Sequence, residues 1–174
     1  MLDHYGWKWW KKQEPDLDQV KLELVDIWHF ALSELMRAEQ LDGDVAVTLS
    51  EVSPISESDP AAFRVAIEEL ALATLRSRSF DIEPFLEAMR TLPMTYTELY
   101  GLYIGKNILN QFRQSNGYQE GTYRKLWQGR EDNEHLVELL AELEVDAVKL
   151  PDQLYQALTE RYAQSQSAAG PLQD

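Results

Sequence analysis

No cysteine occurs in this sequence, and positive charge is scarce. Without thiols the chain can form neither a disulfide bond nor a thiolate metal site, so any metal must be held by oxygen or imidazole ligands. Only 16 Lys and Arg residues stand against 30 Asp and Glu residues, which gives a net charge of -14. Nonspecific nucleic-acid binding depends on Lys and Arg to neutralise phosphates. We therefore expect no nucleic-acid partner.

Long apolar runs are missing as well. No stretch approaches the roughly 20 apolar residues that cross a bilayer, and the start MLDHYGWKWW lacks the apolar segment of a signal peptide. These features predict a cytoplasmic protein with no membrane partner. With 174 residues, 44% of them hydrophobic, the chain can form one domain with a core. We predict a single domain over residues 1–164 and a disordered polar tail over residues 165–174.

Helical periodicity accounts for almost all of the apolar pattern, so the sequence predicts an all-α helical bundle of about five to six helices. The polar stretch SEVSPISESDP is typical of a surface loop. The helix boundaries follow from caps and breakers. The predicted helices are one from Asp16 or Asp18 to Glu39, one opened by Asp59 and Pro60, a short one in IEPFLEAMRTL, a long one from the Thr95 and Glu98 capping box to about Gln114, one starting near Asp132, and one after Pro151.

The first helix combines a broad apolar surface with a narrow polar strip. Within KLELVDIWHF, residues 21–30, Glu23 and Asp26 are three positions apart and therefore lie on one stripe of the helix. Two adjacent carboxylates repel each other unless a cation lies between them, and Mg²⁺ prefers oxygen ligands. The pair indicates either a divalent metal site or an ordinary solvated strip.

The few cations are concentrated in one segment of the chain. Between Gly101 and Arg130 a single acidic residue, Glu120, accompanies five cations: Lys106, Arg113, Arg124, Lys125 and Arg130. This local excess indicates either a bound anion or compensation of neighbouring acidic helices.

Lys106, Asn110 and Arg113 share one face of the long helix, at positions i, i+4 and i+7. Two cations flanking an amide suit phosphate oxygens and a sugar hydroxyl. The glycine-rich loop that follows, with its tyrosines and Lys125, is suited to fold over a ligand. The alternative is a solvated helix face followed by a loop whose aromatic side chains only pack.

Three segments, WKWWK, ELVDIWHF and GKNILNQFRQSNGYQEGTYRKLWQGREDN, resemble the dimeric all-α dUTPases, which are related to the MazG-like nucleoside triphosphate pyrophosphohydrolases. The similarity runs from Trp7 to about Leu140. It implies a MazG-like helical homodimer that hydrolyses dUTP or dUDP to dUMP, with Mg²⁺ or Mn²⁺ bridging carboxylates and phosphates.

The same resemblance implies roles for individual residues. Glu23 and Asp26 resemble the second half of the family's metal-binding signature. The implied substrate-binding residues are Lys106, Arg113 and Lys125 at phosphates, Asn110 and Tyr118 at deoxyribose or phosphate, Asn133 near the site, and Lys8 and Trp9 in the wall of the nucleotide pocket.

One part of the family pattern has no counterpart here. In the family a preceding helix carries an E-x-x-E pair, which completes the metal site and positions the attacking water, so the general base is expected there. No E-x-x-E lies upstream of Trp7, and Glu83 and Glu87, which have helical spacing, come after Asp26. We therefore expect a chain without its first helix.

Two functions remain open at this stage. The first is a Mg²⁺-dependent dUTP diphosphatase, or a relative that acts on another pyrimidine nucleotide such as dCTP. The second is a catalytically silent, truncated homodimer that binds nucleotide weakly or serves as an interaction module.

Overall fold

A computed structural model describes residues 4–7, 14–143 and 148–168 of the protein. The chain divides into two compact units, Met1–Tyr100 and Gly101–Asp174. Seven helices account for most of the described residues, so the all-α prediction is confirmed. None of the helices in these ranges is long and apolar enough to cross a bilayer. The single domain over residues 1–164 stays a prediction.

Two helices of the first unit begin at the caps that the sequence predicts. The Asp16 side chain accepts a hydrogen bond from the Gln19 backbone N–H at 3.2 Å and caps the first helix. Asp59 accepts from two backbone N–H groups, each at 3.0 Å, directly before Pro60. The elements of this unit are α1 (Leu17–Arg37), α2 (Gly43–Ser50), α3 (Pro60–Ser77), α4 (Ile82–Thr91) and the first turn of α5 (Tyr96–Ser115).

The short helix α2 was not predicted, and it raises the number of helices above the expected five to six. Its N-cap is Asp42, whose side chain accepts from the backbone N–H groups of Asp44 at 3.0 Å and Val45 at 3.3 Å. The Asp-Gly pair that signals the end of α1 therefore also opens the next helix. α2 has 8 residues, too few for apolar periodicity to reveal it, and only its Leu49 is buried.

Aromatic side chains hold the core of the first unit together. The Trp28 ring of α1 stacks on Phe85 of α4, with their ring centroids 5.2 Å apart. Phe63 of α3 is fully buried and packs against Tyr5, with centroids 5.3 Å apart. The contact between Trp28 and Phe85 fixes which side of α1 packs against α4, and therefore which way the polar strip of α1 faces.

An ion pair joins α1 to the start of α5 within this unit. Lys21 Nζ donates to Glu98 Oε1 at 2.7 Å, and the Thr95 backbone N–H donates to Glu98 Oε2 at 2.9 Å. Glu98 N–H in turn donates to Thr95 Oγ1 at 3.2 Å, so the predicted capping box is confirmed. Burial alone would raise the pKa of Glu98, but the hydrogen bonds from Lys21 and Thr95 outweigh it and hold that pKa below its usual value.

We expect Glu98 to make the protein sensitive to acid. Its ionised form is stabilised only in the folded state, so its contribution is complete above the unfolded pKa of about 4.3 and is lost as the pH falls through the lower folded pKa. Urea unfolding between pH 7 and pH 3 should show a shallower loss of stability for Glu98→Gln than for the wild type. Glu69→Gln on the exposed side of α3 is the control. Parallel curves for wild type and Glu98→Gln would contradict this account.

The second unit packs three helices around Trp127, which belongs to a short ribbon. Its elements are the rest of α5, the antiparallel strands β1 (Leu126–Trp127) and β2 (Arg130–Glu131), α6 (Asp132–Glu142) and α7 (Leu150–Ala168). Trp127 is fully buried, with Tyr162 and His135 each at a centroid distance of 5.2 Å. α7 continues to Ala168, four residues into the segment 165–174 predicted as a tail, and the tail itself stays a prediction.

Candidate active site

The two candidate metal ligands lie on α1 in the first unit. Glu23 and Asp26 are both partly exposed, and His4 Nε2 lies 3.8 Å from Glu23 Oε1. In the described ranges no three His, Asp or Glu side chains form a metal-ligand group. Mg²⁺ usually takes only one or two protein carboxylates and completes its shell with water and substrate phosphates. The pair therefore fits a Mg²⁺ ion that binds together with a nucleotide.

The later carboxylate pair, Glu83 and Glu87, lies on α4, where Glu87 forms an ion pair with Arg90. Arg90 of the same helix donates to both oxygens of Glu87, at 2.8 Å and 2.5 Å. These hydrogen bonds hold the pKa of Glu87 below its usual range. Glu87 is therefore held in an ion pair within α4.

The predicted phosphate face lies on α5 in the second unit, and it is not a solvated helix face. The Lys106 side chain is buried with 6% exposure, and the Arg113 side chain is 13% exposed. Asn110, between them, is exposed. Arg113 Nη1 donates to Asn110 Oδ1 at 3.1 Å, which confirms that these two residues share one face.

A buried carboxylate holds the Arg113 guanidinium in place. Arg113 Nε and Nη2 donate to the two oxygens of Asp132 at 2.8 Å and 2.7 Å, and Asp132 is fully buried. Tyr123 Oη donates to Asp132 Oδ2 at 2.8 Å. Arg113 Nη2 also donates to Asn133 Oδ1 at 3.3 Å. Burial raises the pKa of the Tyr123 phenol, and its hydrogen bond to Asp132 raises it further, so this hydroxyl stays a donor.

The other predicted binding residues of this unit occupy the loop and the start of α6. Tyr118 is exposed, and Lys125 Nζ lies 3.1 Å from Glu131 Oε2. Asn133 belongs to the Arg113 network. Lys8 and Trp9 lie outside the described residues.

Most cations of the basic segment have acidic partners close by in the chain. Arg113 pairs with Asp132 at the start of α6, and Lys125 pairs with Glu131 of β2, directly before it. Arg130 pairs with Glu138, which also accepts from Arg161 of α7 at 2.8 Å. Acidic residues of β2 and α6 therefore compensate a large part of the local charge excess, and anion binding by this segment stays a prediction.

The dUTPase family profile matches this chain over residues 1–118. The chain belongs to the dUTPase family. The matched region contains the α1 carboxylates, the α5 face and Tyr118, whereas Lys125 and Asn133 of this dUTPase-family chain lie beyond it. A search of curated proteins gives no match. Family membership supports a dUTPase-like nucleotide hydrolase.

Two members of the Arg113 network were not singled out from the sequence. Asp132 was predicted only as the start of a helix, and Tyr123 only as a residue of the loop. A signal existed, since Asp132 is an acidic residue at the first turn of a helix that directly follows a basic segment. Which of the neighbouring acidic residues pairs with Arg113 depends on the fold, so sequence spacing does not identify Asp132.

The loop of this dUTPase-family chain turns at Gly117. This residue has φ of +88°, a conformation that favours glycine, and its carbonyl oxygen accepts from the Thr122 N–H at 2.9 Å. A Cβ at this position would overlap Thr122 Oγ1, whereas a Cβ on Gly121, with φ of +71°, meets nothing within 4 Å. A side chain is therefore obstructed at Gly117 and has free space at Gly121.

Gly117→Ala should therefore destabilise the protein by about 1–3 kcal/mol, through backbone strain and the overlap with Thr122. Gly121→Ala carries the strain without the overlap and should cost less. Thermal and urea unfolding of both variants measure the difference. Equal losses would mean that the contact with Thr122 relaxes without cost.

Proposed function

We propose that this dUTPase-family chain hydrolyses dUTP, and also dUDP, to dUMP in a Mg²⁺-dependent reaction. The observation that carries the proposal is the family match over residues 1–118, which includes both the carboxylate pair of α1 and the Lys106, Asn110 and Arg113 face of α5. In the reaction water attacks a phosphorus atom of the α–β phosphoanhydride and that bond breaks, so dUTP gives dUMP and pyrophosphate, and dUDP gives dUMP and phosphate.

The residues have distinct roles in this proposal. Glu23 and Asp26 would hold Mg²⁺, which when bound neutralises phosphate charge and makes a water molecule a better nucleophile. Lys106 and Arg113 bind phosphate oxygens and stabilise the charge that develops on the leaving group. Asn110 donates a hydrogen bond to the substrate.

Further substrate contacts come from the loop and from α6. We assign Tyr118 to the deoxyribose or a phosphate, Lys125 to a phosphate and Asn133 to the edge of the site. Lys8 and Trp9 complete the assignment as parts of the pocket wall. We place the protein in the cytoplasm.

We also propose that the active protein is a homodimer. Two large apolar side chains of the first unit, Phe30 on α1 and Leu75 on α3, are 78% and 79% exposed. Side chains of this kind commonly become buried when chains associate. Sedimentation equilibrium of the purified chain measures the mass in solution, and a monomer at micromolar concentration would contradict the proposal.

The test of the reaction is release of pyrophosphate from dUTP by the purified chain in the presence of MgCl₂. We expect turnover that EDTA abolishes and added Mg²⁺ restores. Parallel reactions with dCTP or dTTP in place of dUTP measure the preference for the base. Binding of a nonhydrolysable dUTP analogue without turnover would instead identify the catalytically silent homodimer. Neither binding nor turnover with any of these nucleotides would overturn the proposed function.

A further inference from the structure

Four hydrogen bonds fix the position of the Arg113 guanidinium. Two of them go to Asp132, one to Asn133 and one to Asn110. Bidentate pairing with a carboxylate fixes the plane of the guanidinium group as well as its position. Asp132 is itself held by the Tyr123 hydroxyl at 2.8 Å. The orientation of Arg113 is therefore set from the buried side of the unit.

This arrangement determines which end of the Asn110 amide faces outwards. A guanidinium group has only donors, so the amide must turn its oxygen, Oδ1, towards Arg113. The observed 3.1 Å contact from Arg113 Nη1 to Asn110 Oδ1 follows this rule. The amide nitrogen then lies on the other side of the group, and because Asn110 is exposed, its N–H donors are accessible to a ligand.

We propose that Asp132 and Tyr123 are positioning residues that act through Arg113 to hold Asn110 as a hydrogen-bond donor towards phosphate. In this orientation the Asn110 amide nitrogen donates a hydrogen bond to an anionic phosphate oxygen. A ligand group that is itself a donor is disfavoured at this position. The identity of the nucleotide rests on the proposed function. The outward direction of the Asn110 N–H donors follows from the hydrogen bonds of the Arg113 network alone.

Three variants separate positioning from simple support of the fold. Tyr123→Phe removes one hydrogen bond to Asp132 and keeps the ring, which stacks on Tyr162 with the ring centroids 5.4 Å apart. Asp132→Asn keeps the shape and removes the charge. Asn110→Asp still offers an oxygen to Arg113 but presents a second carboxylate oxygen to the ligand. The control is Glu138→Gln, which weakens the ion pairs with Arg130 and Arg161 and leaves the Arg113 network intact.

The readouts are the Kd for inorganic triphosphate with Mg²⁺, the Kd for a nonhydrolysable dUTP analogue, and KM and kcat with dUTP. Asn110→Asp should weaken binding of both ligands about 10- to 100-fold, because a charge-assisted donor is replaced by a repelling charge. Tyr123→Phe should raise Kd and KM about 3- to 10-fold, the equivalent of one ordinary hydrogen bond, with kcat almost unchanged. Asp132→Asn should also raise Kd and KM while kcat stays almost unchanged, and its Kd and KM should rise more than those of Tyr123→Phe. Glu138→Gln should match the wild type in all of these values.

The outcomes distinguish the two proposals. If the wild type binds triphosphate but does not hydrolyse dUTP, the proposed function fails, and the positioning proposal is judged on triphosphate binding alone. If Asn110→Asp and Tyr123→Phe bind both ligands as the wild type does, the positioning proposal is wrong, whatever their melting temperatures. Failure of the wild type to bind either ligand overturns both proposals.

Discussion

Replacing Arg113 with alanine should lower the free energy of unfolding by about 3–5 kcal/mol. The reason is the partner that remains, because Asp132 is fully buried and receives two hydrogen bonds from Arg113 at 2.8 Å and 2.7 Å. Removing one member of a buried ion pair leaves an uncompensated charge in a poorly solvated site, and losses of about this size follow. Urea unfolding of wild type and variant at pH 7 measures the change.

Two further variants make the cause identifiable. Arg130→Ala removes an arginine whose side chain is 44% exposed and pairs with Glu138, so it should cost only about 0–1 kcal/mol. Arg113→Ala combined with Asp132→Ala removes both charges and should be more stable than Arg113→Ala alone. If the double variant is no more stable than Arg113→Ala alone, the two residues do not act as a pair and the ion-pair explanation is wrong.

The parts of the fold that the sequence predicted well are those fixed by local chemistry. The caps at Asp16 and Asp59 and the capping box at Thr95 satisfy backbone groups within three residues, so their signals survive in the sequence. The helix α2 has 8 residues, too few for apolar periodicity to reveal it. Its existence depends on the Asp42 cap, which was interpreted as a turn.

The candidate site shows the limit of the same reasoning. Helical spacing correctly placed Asn110 and Arg113 on one face, because that is a property of a single helix. Spacing did not show that Arg113 is mostly buried or that its partner is Asp132, which is 19 residues away. Several acidic residues near the start of α6 have similar sequence distances. Only the packing of α5 and α6 around the unit's aromatic core selects among them.

The carboxylate pair of α1 should have the largest effect on activity. If Glu23 and Asp26 hold Mg²⁺ as proposed, Glu23→Gln and Asp26→Asn should each lower kcat/KM for dUTP by more than about 100-fold, since even loss of a supporting outer-sphere group costs about 10- to 100-fold. The amides keep the size of the side chains and remove the negative charge that attracts a divalent cation. Stability should change little, because both side chains are partly exposed.

The control for this prediction comes from the same helix. Glu34 is a carboxylate on the polar strip of α1, but Arg37 donates to both of its oxygens, at 2.9 Å and 2.6 Å. Glu34→Gln should therefore keep the wild-type activity and the wild-type dependence on Mg²⁺ concentration. For Glu23→Gln and Asp26→Asn the Mg²⁺ concentration that gives half-maximal activity should rise, because each loses one anionic ligand. A normal Mg²⁺ dependence in both variants would mean that the metal is held elsewhere, and that the two carboxylates of KLELVDIWHF are only part of a solvated strip.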